Sequence, residues 1–251
     1  MSSLTKMLSI LDMFTVEAPT WSTEAICHHL GCSVPTGYRY LRELVGSGLL
    51  LRLGDGSYEL GPRIIKLDYQ LRSIDPLLRV GQPLMRELSA QTGCDSVMTR
   101  IFDDEIVDTH RESGPDGLHL AYGRGRPRPL FLGGAPKVIL STMPKGKLTR
   151  LYNKHAESIA AAGMGRSADE FIARLHETRK AGYYISKGEL EADVGAIAVP
   201  ILGQSALAVG ALALVIPIRR LEFMNHEKLL ELLREAASRI STEAAKSYAP
   251  Q

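Results

Sequence analysis

Residues 21–44 read Trp21-Ser22-Thr23-Glu24-Ala25-Ile26-Cys27-His28-His29-Leu30-Gly31-Cys32-Ser33-Val34-Pro35-Thr36-Gly37-Tyr38-Arg39-Tyr40-Leu41-Arg42-Glu43-Leu44, and their reading decides the fold. Ser22 can cap a helix by accepting from a free backbone N–H. Trp21, one position earlier, can pack on Ile26 as a hydrophobic staple. Gly31 suits a left-handed helix end. Ser33 can cap the next helix, with Pro35 in its first turn, where a missing N–H costs nothing. Leu41 and Leu44 are expected inward, which turns Thr36, Tyr38, Arg39 and Arg42 outward. Two helices joined over so short a bend are the order of a helix–turn–helix.

The flanks extend that motif. Leu4, Met7, Leu8, Leu11 and Phe14 recur at spacings of three and four, which predicts an amphipathic first helix. Strand-like runs at Leu49–Leu53 and Ser57–Leu60 enclose Gly54-Asp55-Gly56, a hairpin signal. Helix, helix–turn–helix and hairpin together read as a winged helix–turn–helix over residues 1–61. An apolar-periodic helix from Pro62 follows, assigned to a linker over 62–75.

Residues 76–251 read differently. A helix over Pro76–Thr92 contains Pro83, which should kink or break it. Strands are expected at Ser96–Phe102, Ile106–His110 and Leu118–Tyr122, and a helix at Lys137–Met143. Ser167 and Glu170 have capping-box spacing before a helix ending at Gly182. Ala196–Ile218 is the most apolar stretch, but Gly203-Gln204-Ser205 divides it, and its longer piece is too short for a membrane helix. It reads as two buried strands. An amphipathic helix closes the chain at His226–Ser247. Hairpin strands among scattered helices give an α+β domain over an antiparallel sheet.

Composition narrows the function. The chain has 251 residues, 45% hydrophobic and 23% charged, with 30 Lys and Arg against 28 Asp and Glu. Such a chain buries a core without staples. Cys27, Cys32 and Cys94 are too few and too odd for a disulfide scaffold, and point to a reducing, cytoplasmic setting. No catalytic motif links the scattered histidines to a nucleophile, so no enzyme and no cofactor is expected. Four ligands drawn from Cys27, His28, His29 and Cys32 would strain a zinc tetrahedron, so no metal is expected either. Arg124-Gly125-Arg126-Pro127-Arg128-Pro129 looks like a minor-groove hook, but inside a folded domain it reads as a surface loop, one arginine of which can pair with an acidic ligand.

DNA reading must therefore rest on local features. The third helix offers Thr36, Tyr38, Arg39 and Arg42 to a major groove, where an arginine fork matches two acceptors of guanine. Ser22, Thr23 and Ser33 stand at helix starts suited to phosphate. Arg52 and Tyr58 of the hairpin are candidates for the backbone or minor groove. Residues 1–62 hold four Lys or Arg and six Asp or Glu, a net charge of −2. A single copy should then bind weakly, so a dimer or tetramer is expected. The alternative is a small-molecule-binding or enzymatic protein whose winged helix only mediates protein association.

At this point the sequence resembles the IclR family of bacterial transcription regulators. The likeness rests on Pro35-Thr36-Gly37-Tyr38-Arg39-Tyr40-Leu41, on Gly56-Ser57-Tyr58-Glu59-Leu60-Gly61, on Arg179 before Gly182-Tyr183, and on Ala196–Pro200. It implies a winged helix–turn–helix followed by a GAF-like effector domain. It also implies homodimers or homotetramers on palindromic double-stranded promoter DNA, repressing or activating in answer to a small organic acid. Gly37 departs from a usual β-branched residue, as if to let the helix approach DNA closely. Pro129-Leu130-Phe131 replaces a Pro-x-His, and Pro136 a common Gly.

The resemblance also implies an effector pocket. The positions that hold the carboxylate in a keto-acid-binding member fall at Gly134, Ala135, Ser186, Ala196, Ala213 and Val215. Several have lost polar groups, and burying a small hydrated acid without partners is costly. A larger effector with an apolar or aromatic body is expected. Leu118, Leu120 and Tyr122, alternating on one strand face, would supply its apolar wall.

Overall fold

The computed structural model describes residues 2–102, 105–115, 117–118, 123–126 and 128–247. It divides into two compact units, Met1–Asp75 and Pro76–Gln251. The expected strand at Leu118–Tyr122 lies almost wholly outside the described residues, and Leu118 itself is not in a strand.

The first unit holds helix α1 (Ser3–Leu8), a short 3-10 turn (Leu11–Met13), α2 (Thr23–Leu30), α3 (Val34–Gly46), the hairpin β1 (Leu50–Arg52) and β2 (Tyr58–Leu60), and α4 (Pro62–Ile74). The first helix is shorter than its apolar spacing predicts. Leu4 and Leu8 stay exposed, and the buried anchors are Ile10 and Met13, in the turn that follows. The capping predictions are met at α2. The Ser22 hydroxyl accepts from the Ala25 amide at 3.2 Å, and Gly31 ends the helix at φ 59°. Ser33 has the extended cap backbone, but its hydroxyl pairs with Thr36 Oγ1 at 3.0 Å instead of an amide. Trp21 packs on the core that holds Ile26 and donates its indole N–H to the Met13 carbonyl at 2.8 Å. Its backbone bridges Tyr58, tying the hairpin to the start of α2. Ile10, Ile26, Tyr40, Leu41, Leu44, Leu50 and Tyr58 form the unit's core.

The second unit holds α5 (Pro76–Thr92), β3 (Asp95–Phe102), β4 (Glu105–Glu112), α6 (Gly134–Ser141), α7 (Lys145–Ala161), α8 (Ala168–Ala181), β5 (Tyr184–Lys187), β6 (Val194–Leu202), β7 (Ala208–Pro217), α9 (Ile218–Leu221) and α10 (His226–Ser247). Its five strands form an antiparallel sheet in the order β4-β3-β7-β6-β5. The fold is α+β. Helix α5 runs through Pro83 without ending. Its buried face (Leu77, Leu84, Met85 and Leu88) packs into the main core, and that packing outweighs one lost backbone hydrogen bond.

Alternation along the strands sorts two unlike layers. Ile197, Val199 and Ile201 of β6, with Leu212, Leu214 and Ile216 of β7, join α5 and α10 in the large-residue core. Ala198, Ala211 and Ala213 turn to the opposite face, against Ala135, Val138 and Ile139 of α6. Small side chains on that face leave room between the sheet and the start of α6. Helices α7 and α8 close a further core around Phe131, Leu140 and Phe171.

Candidate functional site

The two units each hold a candidate site. In the first, α3 buries Gly37, Tyr40, Leu41 and Leu44. Tyr38, Arg39 and Arg42 are exposed and Thr36 partly so. Arg39 lies over the Tyr40 ring at 5.7 Å, and Arg42 sits 3.6 Å from Glu43 in an exposed pair. Ser22 and Ser33 are exposed at their helix starts, and Arg52 is exposed on the hairpin.

Two expected side chains are not on this surface. Thr23 is only 4% exposed, because the first residue of α2 faces α3. Tyr58 is likewise 4% exposed, since the residue that pairs with Trp21 must point into the core. Their side chains cannot meet DNA. A third correction concerns Gly37. A Cβ there would lie 2.2 Å from Cys27 Sγ, so the glycine admits the neighbouring helix and not a duplex. Burial of Cys27, with the adjacent Cys32 thiol, raises its pKa above the ordinary value. The thiol stays neutral and packs as a small apolar group.

In the second unit, residues far apart in sequence converge on one cavity of about 40 Å³. Strand register explains the meeting. Ser186 pairs with Ala196, and Ala196 with Val215, so three adjacent strands contribute one row. Ala213 is the next residue of β7 on the same face. Gly134 and Ala135 open α6 above that row. All six positions implied by the resemblance line the cavity. Leu120 and Tyr122 lie outside the described residues, and Leu118 is not among the lining residues.

The cavity has further walls that the motifs did not mark. Arg128, Gly133, Leu190, Glu191, Val194 and Gly195 also line it. The Gly133 amide donates to Glu189 at 2.9 Å, and buried Lys137 contacts the same carboxylate and the Tyr184 hydroxyl. That network fixes the start of α6 against β5. The first amides of a helix have no partner within it, which makes them donors for an anion. Pro136, at the third position of α6, removes one such donor. The hook-like loop is divided: Arg124 and Arg126 are exposed, whereas the Arg128 side chain is 10% exposed.

Family models match most of both units. The IclR helix-turn-helix domain covers residues 3–54, and the bacterial transcriptional regulator IclR C-terminal domain covers 71–242. The chain belongs to the IclR family. Among curated relatives, the HTH-type transcriptional regulator KdgR of Dickeya chrysanthemi is 25% identical over 244 residues, 96% of this chain and 79% of its own. An IclR transcriptional regulator from Alicyclobacillus acidocaldarius superimposes with a TM-score of 0.81 at 20% identity, covering 96% of this chain and 98% of that one. An IclR homologue from Microbacterium hydrocarbonoxydans, solved with 4-hydroxybenzoate, gives 0.77 at 21% identity, covering 98% and 100%. The IclR-family chain is a DNA-binding transcription regulator with an effector-binding domain, and not an enzyme. Among the described residues, no helix is long and apolar enough to cross a membrane.

Proposed function

We propose that this regulator controls a catabolic operon for an organic acid with an apolar, aromatic body. It acts in the cytoplasm as a homodimer or homotetramer on a palindromic promoter site. One observation carries the effector reading: six positions drawn from α6, β5, β6 and β7 meet at one cavity whose floor is alanine, valine and a single serine. Such a floor favours an apolar body over a small hydrated keto acid. The solved neighbour's 4-hydroxybenzoate is of the same chemical kind. Binding in this cavity would favour one arrangement of the protein over another.

The operator side rests on the exposed Ser22, Ser33, Tyr38, Arg39, Arg42 and Arg52, with the partly exposed Thr36. Assembly is supported by α4, which has no buried residue and exposes Ile65, Leu67, Tyr69, Leu71 and Ile74. Summing half-sites also answers the local charge of −2. A gel shift on DNA upstream of the adjacent genes tests the reading. The expected result is a retarded band that an aromatic monocarboxylate weakens or strengthens. No band on that DNA, or a band indifferent to every organic acid tried, contradicts it.

A further inference from the structure

Among the described residues lining this cavity Arg128 is the one basic side chain, and its position is built by three contacts. Its own amide donates to the Ile106 carbonyl at 2.7 Å, which docks the segment onto β4. The Gly125 amide does the same to Asp108, at 3.1 Å. Its Nε donates to Asp108 Oδ1 at 2.6 Å, and that oxygen also accepts from Thr99 Oγ1 at 2.7 Å. Asp108 is 2% exposed. The carboxylate therefore takes one edge of the guanidinium and holds the plane still.

The opposite edge faces the start of α6. Arg128 Nη1 lies 3.8 Å from where a Cβ on Gly133 would stand. Gly133 caps α6 with φ 83°, and Gly134 and Ala135 follow with the helix's leading amides. A planar fork and the positive end of a helix thus converge on one small space. Guanidinium is matched to carboxylate by two parallel hydrogen bonds.

We propose that Arg128 is the specificity-determining residue of this cavity and that it selects a monocarboxylate. The ligand's carboxylate lies between Arg128 Nη1 and the first amides of α6, with its apolar body over Ala196, Ala213 and Val215. The inference rests on the effector reading above and adds to it the charge and the count of ionised groups. Glu191 borders the same space. A second ligand carboxylate would meet it as a like charge, so dicarboxylates are disfavoured. Neutral amides forfeit the charge-assisted bonds and are disfavoured too.

Calorimetry on the full-length protein tests this with acetate, pyruvate, hexanoate, benzoate, 4-hydroxybenzoate, adipate and benzamide. At least one monocarboxylate should bind, with benzamide and adipate at least tenfold weaker than the best acid. Arg128→Gln should weaken that acid at least tenfold, and Arg128→Lys should recover part of the loss. Should Arg128→Gln unfold by leaving Asp108 uncompensated, the Arg128→Gln/Asp108→Asn double variant keeps the interior neutral and should show the same loss. Binding blocked by Ala196→Trp yet unchanged in the Arg128 variants would overturn the role of Arg128 and leave the effector cavity standing. Binding unchanged in Ala196→Trp as well would overturn the cavity itself. A wild-type protein that takes only adipate or benzamide, or none of the panel, would overturn the monocarboxylate class.

Discussion

The two candidate sites of this regulator are built on opposite plans. The surface of α3 is made by one short segment, and its chemistry points into solvent. The cavity of the second unit is made by five separated segments, and its chemistry is mostly the absence of side chains. Tyr38, Arg39 and Arg42 are exposed within five consecutive residues. Ser186, Ala196 and Val215 meet only because three strands share a register. The first site is tolerant behind and demanding in front, whereas the second is demanding on every side.

That contrast is broken most severely at Gly37, where the surface helix is not tolerant at all. Gly37→Ala puts a methyl 2.2 Å from Cys27 Sγ. Overpacking of this kind costs about 1–3 kcal/mol, and thermal melting should show it together with lost DNA affinity. Removing the sulfur should reverse the effect. With Cys27→Ala the nearest remaining atoms, Cys27 Cβ and Thr23 Cγ2, lie at 3.9 Å, an ordinary contact. The Cys27→Ala/Gly37→Ala pair should regain DNA binding and gain up to about 1 kcal/mol of helix propensity over Cys27→Ala alone.

Filling the cavity should uncouple the effector from DNA binding. Ala213→Leu should abolish the effector's influence in a gel shift, lower thermal stability by about 1–3 kcal/mol, and leave the basal shift in place. A smaller effect is expected at Arg42, whose side chain is 78% exposed beside Glu43. Arg42→Ala should weaken binding uniformly across sequences and lower the salt slope by about 1 per half-site. A titration of DNA affinity against salt reads it.

Thiol chemistry gives the mildest test. Burial raises the pKa of Cys27 and of Cys94 above 9.0, so both remain protonated at neutral pH. Alkylation at pH 7.5 should mark Cys32 first and reach the other two only in denaturant, read by mass spectrometry. Because the folded values are raised, these two thiols stabilise the fold below the unfolded pKa, and that contribution fades as the pH climbs through the folded values.

The same contrast explains what was legible in the sequence. Caps at Ser22 and Ser167, the left-handed Gly31 and Gly182, and the closing helix His226–Ser247 were legible because each is a local signal. Thr23 and Tyr58 were misread as surface residues, since polarity alone does not reveal which face packs on a neighbour. Helix α7 carried too few apolar positions to register, with only Leu148, Leu151 and Ile159 buried. Its backbone also departs from helix at His155. Strand β5 is four residues long and shows no alternation of its own. Family likeness marked six lining positions of the cavity, and the loop Arg124–Pro129 offered an arginine for an acidic ligand, but not which one, because the Asp108 that holds Arg128 is 20 residues away. Only pairing along β4 brings them together.

DNA anisotropy with Arg39→Ala asks whether the outward flank of α3 reads the duplex. The side chain is exposed, and its contact over Tyr40 is worth about 0.5–1 kcal/mol at most. The variant should therefore melt within a few degrees of the parent. Operator affinity is predicted to fall at least tenfold, with discrimination relaxed at the contacted base pair. An Arg39→Ala protein that holds the same operator with unchanged affinity and unchanged sequence preference would mean that this flank does not read the duplex.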